Sequence, residues 1–339
     1  MKKKTTSFIF GLFILMFIFF ILITVIAGLF AFRERLPVIG KGAVAIVKVE
    51  GVLTDTSREI ALLHKYAESP IARAIVLRVE TPGGAVGCSQ ELNREIAKLR
   101  KRSSKPIVVS MGNVAASGGY YIACAANEIY ANPGTVTGSI GVLFQTYDLQ
   151  GISKKIGFGV NTIKSGKLKD TGSSFREMTP EEREVLQATI DDTYDQFLEA
   201  VLEGRRTELA RAYLRRTAQG TTATRTTDSP TSPTALSPEE EAKAGQLPRE
   251  VVKDYLRSIA DGRVLSGRQA WELGLVDRLG DLHDAADRAA QLAGLRGKPY
   301  LLQERRKVTF WDLLENRTNV VSRLVERLGV ALEYRLSFD

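Results

Sequence analysis

The sequence predicts an α/β fold, a mostly parallel sheet covered by helices and preceded by one transmembrane helix. Three observations predict it. Short β-branched runs at 43–49, 74–79 and 107–110 alternate with amphipathic stretches at 57–68 and 86–102, and strands joined through helices run parallel because each connection crosses over the sheet. The second and third runs lead into small-residue segments, TPGG at 81–84 and GNVAASGG at 112–119, placed where such sheets gather functional groups, just beyond the strands' carboxyl ends. Before all of this, residues 8–32 form 25 consecutive uncharged, almost wholly apolar positions, about 37 Å as a helix and enough to span a bilayer.

Taken in order, Lys2, Lys3 and Lys4 precede the apolar run, while Arg33, Glu34 and Arg35 follow it with a smaller net charge. The positive-inside rule then puts the N-terminus in the cytoplasm and the bulk of the chain outside it. A cleaved signal peptide has a shorter apolar core and an A-x-A-like site, and neither is present, so the run reads as an uncleaved anchor. A linker, 33–42, leads to the first strand. In helix 57–68, Ile60, Leu63 and Ala67 share one face, and Lys105-Pro106 opens the strand at 107. A helix over 118–126 follows, and NPGTVTGSIGV at 132–142 puts Ser139 in a loop-to-strand segment. NTIKSGKLKD at 161–170 carries three lysines. The helix over 179–204 starts with Thr179-Pro180-Glu181-Glu182, which satisfies N-cap, first-turn proline and dipole preferences together, and Gly204 marks its end. Residues 217–234 hold eight Thr and two Pro without Leu, Ile, Val or Phe, which predicts a mobile loop. Helices follow at 249–260, after Ser266 with Ala270 and Trp271 inward, and about 281–293. The tail 310–336 carries leucines near helical spacing.

Composition narrows the function classes. Of 339 residues 44% are apolar and 25% charged, a globular balance. The net charge of +8 is scattered without aromatic-interleaved basic clusters, which argues against nucleic-acid binding. Cys88 and Cys124 are the only cysteines and have no metal-ligand spacing, so neither a disulfide nor a metal or other cofactor is expected. No GxxxxGK[ST] or GxGxxG follows a strand.

Ser117 is the residue that could carry chemistry. A hinge from strand to helix lifts a hydroxyl onto a helix N-terminus, where free N–H groups favour an oxyanion. The competing reading is a plain N-cap serine. Gly83 and Gly84 expose backbone N–H groups beside it, either as half of an oxyanion hole or as an ordinary turn. A serine nucleophile needs a base. Only His64 and His283 exist, each inside its own helix, so a lysine of the 161–170 segment is the economical alternative.

Together TPGG, GNVAASGGYYIA, GSIGV, KSGKLKD, FREMTPEE and DGRVLSGRQAWELGLVD resemble, in the same order, the bacterial signal peptide peptidase A or protease IV family of membrane-anchored Ser–Lys peptidases. The resemblance covers about 43–204 and 251–290. It implies the Clp protease/crotonase-like fold, with Ser117 as nucleophile, Lys169 as general base, Lys164 and Lys167 as accessory, Ser139 holding the lysine amine, and Gly84 and Gly118 at the oxyanion hole. It also implies a peptidase domain over 43–300 with an insertion about 205–250, a tail at 301–339, and a place in the bacterial cell membrane with the catalytic domain extracytoplasmic. Remnant signal peptides and other apolar peptides are the implied substrates. A homo-oligomeric ring, expected as an octamer, is the implied assembly, in which a neighbouring subunit can complete the site. Two other classes compete: a crotonase-type acyl-CoA enzyme, disfavoured by the anchor and by small-residue turns without Glu, and a catalytically silent membrane scaffold, disfavoured by intact Ser117 and Lys169.

Overall fold

The computed structural model describes residues 16–26, 42–220, 236–304 and 332–335. The chain divides into two compact units, Met1–Gly42 and Ala43–Asp339. In the first, residues 16–26 form helix α1, whose large side chains from Met16 to Ile26 are 44–66% exposed. Among the described residues no helix is long and apolar enough to cross a membrane, and the flanks of the 8–32 run lie outside them.

The second unit opens with β1 (Ala43–Glu50), α2 (Ser57–Glu68), β2 (Ala72–Thr81), β3 (Gly83–Ala85), α3 (Val86–Arg102), β4 (Ile107–Ala116), α4 (Gly118–Ala123), β5 (Glu128–Ala131), β6 (Val136–Gly138), β7 (Leu143–Phe144) and α5 (Gln150–Ile156). It continues through α6 (Pro180–Gly220), α7 (Pro238–Gln246), α8 (Arg249–Ile259), β8 (Val264–Ser266), α9 (Gly267–Glu272), β9 (Arg278–Leu279), α10 (Leu282–Leu292), β10 (Tyr300–Gln303) and β11 (Leu332–Arg335). The main sheet runs β10-β1-β2-β4-β5-β9 with every pairing parallel, while β6 adds to the end of β4 and pairs antiparallel with β8. This is the strand–helix alternation expected.

Side-chain alternation along the strands sorts the core into two layers. Ala45, Val47, Ile75, Leu77 and Val109 point to the larger cluster, shared with α2, α3, α4, α6 and α8. Val44, Ala74, Val76 and Val108 point to the other face, where α10 lays down Ala285, Ala286, Ala289 and Ala290. Small alanines let that helix sit close to the sheet. The N-caps read from sequence are present: Ser266 accepts from Gln269 N–H within a capping box, and Thr179 and Glu182 exchange bonds at the start of α6.

Three sequence expectations change. Gly204 does not end its helix, since α6 continues to Gly220. Its role is close approach: a Cβ there would lie 1.8 Å from the Cys124 carbonyl oxygen, so glycine lets α6 press against the end of α4. Much of the expected insertion is ordered, because Leu209, Ala212 and Leu214 of α6 and Ala244 of α7 are buried; of the Thr-rich stretch, 217–220 are helical and the rest lies outside the described residues. In the tail, Leu332–Arg335 is a strand, not a helix. It fills a three-stranded sheet between β3 and β7, antiparallel to both. Two open strand edges offer main-chain partners to these four residues; the rest of the tail read at helical spacing lies outside the described residues.

Candidate active site

The site is assembled at the carboxyl ends of β2 and β4. The two strands are in register up to Val79↔Met111 and then slip to Thr81↔Ala115, so β4 bulges over Gly112–Val114. Glu80 fills the bulge: its carboxylate accepts from Asn113 N–H at 2.9 Å and Val114 N–H at 3.1 Å. Gly112 makes room for it, since a Cβ there would overlap Glu80 Oε2 at 1.7 Å. Beyond the bulge β6 takes over as partner, and the buried Thr135 and Thr137 donate to the carbonyls of Gly112 and Ala115, both at 2.7 Å. These bonds hold the last residues before Ser117.

Ser117 itself has φ 54° and ψ −117°, a left-handed backbone that a non-glycine residue adopts only where its surroundings impose it. They do: its N–H donates to the Gly138 carbonyl at 2.9 Å and its carbonyl accepts from Tyr121 N–H at 2.9 Å. The side chain makes no N-cap bond. Its Oγ is buried without a hydrogen-bond partner, in a residue only 1% exposed. The N-cap reading therefore fails, because a capping serine would spend its oxygen on the first turn. What remains is a strained hydroxyl at the head of α4, whose first N–H groups, Gly118 among them, have no earlier turn to bond to.

The other motifs converge unequally. Thr81 accepts from Gly83 N–H at 3.0 Å and donates to the Gly51 carbonyl, and a Cβ on Gly119 would lie 2.8 Å from Thr81 Cγ2. TPGG thus packs directly on the first turn of α4. Gly84 is pressed against the Leu53 main chain, where a Cβ would meet Leu53 O at 2.3 Å. Ser139 follows Gly138, the acceptor of the Ser117 N–H. It too has positive φ, 50°, and is fixed by donation from its N–H to the Arg263 carbonyl at 2.8 Å. Ser117, Gly84, Gly118 and Ser139 therefore share one corner of the molecule.

Lys169 makes no hydrogen bond to Ser117, whose Oγ has no partner. It is exposed, and among the described residues its Nζ makes no hydrogen bond or ion pair. Its loop lies by β7, with a Cβ on Gly172 falling 3.3 Å from Thr146 Cγ2 and 3.6 Å from the Phe144 ring. Of its neighbours, Lys164 donates to Asp170 and to the Lys167 carbonyl, and Lys167 pairs with Glu181. Neither histidine serves the serine. His64 contacts Glu95 at 3.0 Å, and His283 sits on α10 across the sheet.

Sequence reading missed Glu80, Thr81 and the Asp170–Arg176–Glu182 ion network. Hydrogen bonds from Arg176 hold the Asp170 carboxyl well below the usual carboxylate range, and bonds from Arg176 and the Thr179 N–H bring Glu182 down to about 2. The charges of FREMTPEE were visible, but only as a helix start.

Comparison with known proteins identifies the family. The model of peptidase family S49 matches residues 99–227 and 247–296, which include Ser117, Ser139 and Lys169. A Synechocystis sp. protein bearing a protease name is 37% identical over 253 residues, covering 74% of this chain and 75% of its own length. An Enterococcus faecium protein named as a signal peptide peptidase SppA is 32% identical over 71% of this chain and 61% of its own. The chloroplastic serine protease SPPA of Arabidopsis thaliana is 30% identical over 79% of this chain, which spans only 34% of that longer protein. With a family model covering more than half of the sequence, the chain belongs to peptidase family S49 and is a serine protease.

Proposed function

We propose that the protein is a membrane-anchored Ser–Lys endopeptidase that cleaves extended apolar peptides, remnant signal peptides among them. The observation that carries this reading is the buried, unpartnered Ser117 Oγ on a left-handed residue at the head of α4. As Ser117 Oγ bonds to the scissile carbonyl carbon, its proton passes to the neutral amine of Lys169. The oxyanion is held by the Gly118 N–H and the Gly84 main chain. The C–N bond then breaks, the lysine returns its proton to the departing amine, and water releases the acyl group by the reverse use of the same groups. Ser139 holds the lysine amine in place.

Because Lys169 is exposed and the Ser117 Oγ has no hydrogen-bond partner, we assign the base to a neighbouring copy in a homo-oligomeric ring. The strand space between β3 and β7 supports extended substrates: β11 shows that an antiparallel strand fits there, alongside Gly84. The 8–32 run anchors the chain with its N-terminus in the cytoplasm and the peptidase unit outside it.

The test combines activity with subunit mixing. Ser117→Ala and Lys169→Ala each abolish hydrolysis of a quenched apolar peptide, and Lys169→Arg is equally inactive because a guanidinium stays protonated. Co-assembling the Ser117→Ala and Lys169→Ala chains restores activity if the base comes from a neighbour. Failure to restore it in verified mixed assemblies would place both residues in one chain, and a Lys169→Ala protein at wild-type rate would remove Lys169 from the reaction.

A further inference from the structure

The loop that carries Lys169 has little apolar packing to hold it. Within 161–170 only Leu168 and Asp170 are even half-buried, and Ile163 is wholly exposed. What fixes the loop is polar. Arg176 grips Asp170 with a fork, Nε donating to Oδ2 at 2.9 Å and Nη2 to Oδ1 at 2.7 Å, and a further bond runs from Nη2 to the Asp170 carbonyl at 3.1 Å. The same guanidinium donates through Nη1 to Glu182 Oε2 at 2.8 Å, with a second bond from Nη2 to Oε1. Glu182 is 2% exposed and is itself fixed by the Thr179 N–H at 2.9 Å, in the first turn of α6. That helix buries Phe197, Leu198, Val201 and Leu202 in the main core.

We propose that Arg176 is a positioning residue: it fastens Asp170, the chain neighbour of Lys169, to the rigid start of α6 and so sets where the lysine amine is presented. The proposal rests on Lys169 acting as general base. A planar fork serving two carboxylates at once cannot be reproduced by a point charge. Charge alone therefore does not suffice, and Arg176→Lys is the informative substitution.

The experiment uses the full-length protein in detergent with a quenched apolar peptide as substrate. Arg176→Lys and Glu182→Gln are compared with wild type and with Lys169→Ala, and thermal unfolding checks that each variant is folded. A displaced amine lowers kcat by about 10- to 100-fold while KM stays near the wild-type value, since neither substitution alters β3, β7 or β11. A role confined to folding would lower the unfolding temperature and leave the kcat of the folded fraction unchanged, and that result would overturn the proposal. Wild-type kcat in Arg176→Lys beside an inactive Lys169→Ala overturns the positioning role alone. Wild-type kcat in Lys169→Ala overturns the base assignment and the positioning role together.

Discussion

Replacing Gly204 with alanine tests whether α6 and α4 are as tightly seated as the structure shows. On a free helix the change is favourable by about 1 kcal/mol, because glycine is the poorer helix former. Here the new methyl would lie 1.8 Å from the Cys124 carbonyl oxygen and 2.8 Å from its carbon, more than an ångström inside ordinary contact. The obstacle is main chain at the end of α4 and cannot rotate away, so the overpacking cost falls at the upper end of its usual range, about 3 kcal/mol. The net expectation is a loss of about 2 kcal/mol. Urea unfolding followed by circular dichroism measures it, with Gly245→Ala as control, since nothing lies within 4 Å of a Cβ there; that variant gains up to about 1 kcal/mol. Because α4 follows directly on Ser117, the Gly204→Ala shift also reaches the site, and kcat drops with stability. A Gly204→Ala protein as stable as wild type or more so would refute the close approach and the reason given for α6 running through that glycine.

Other outcomes follow from the same structure. Asp277→Ala strips the partner from Arg205, which is 1% exposed and donates twice to that carboxylate at 2.8 Å; leaving the guanidinium buried and unpaired costs about 3–5 kcal/mol, read by the same unfolding assay. Asp170 and Glu182 have lowered folded values, so their contribution is complete above the unfolded carboxylate range, about pH 4, and is lost as pH falls toward about 2. The rate profile above about pH 5 therefore contains no limb from this network, which kcat/KM against pH checks. Ending the chain at residue 331 leaves β3 and β7 without their shared partner, and KM for a peptide substrate should fall with kcat unchanged; an unchanged KM would mean that substrate does not add at these edges.

The sequence carried the main sheet well because its signals are local. β-Branched runs, flanking turns and helical faces each depend on a few adjacent residues, and β1, β2, α2, α3 and the start of β4 follow from them. It also singled out Ser117, but not its state. Whether that serine caps a helix or stands unpartnered depends on Gly138, a residue 21 positions away that takes the Ser117 N–H, and on Thr137, which draws the end of β4 toward β6. Such partners leave no periodic trace. Glu80 was hidden for the same reason: it reads as one more strand residue until the bulge in β4 gives its carboxylate main-chain N–H groups to bind. Gly204 misled because a glycine late in an apolar periodic stretch has two physical uses, helix termination and close approach, and only the position of Cys124 decides between them.

The two halves of the proposed dyad are built by opposite means, and this bears on how each can fail. Ser117 is held by the core: a paired strand, a pinned bulge and a helix pressed so close that Gly119 and Gly204 admit no side chain. Whatever loosens that core costs stability and activity together, as Gly204→Ala should. Lys169 is held by an ion network anchored on the buried Glu182, on a loop with little apolar burial. Substitutions there cost activity first, together with the stability the network adds above about pH 4. That division fits the proposed supply of the base by a neighbouring copy: the core keeps the strained serine in place within one chain, and the tethered loop leaves the amine exposed to seat against another.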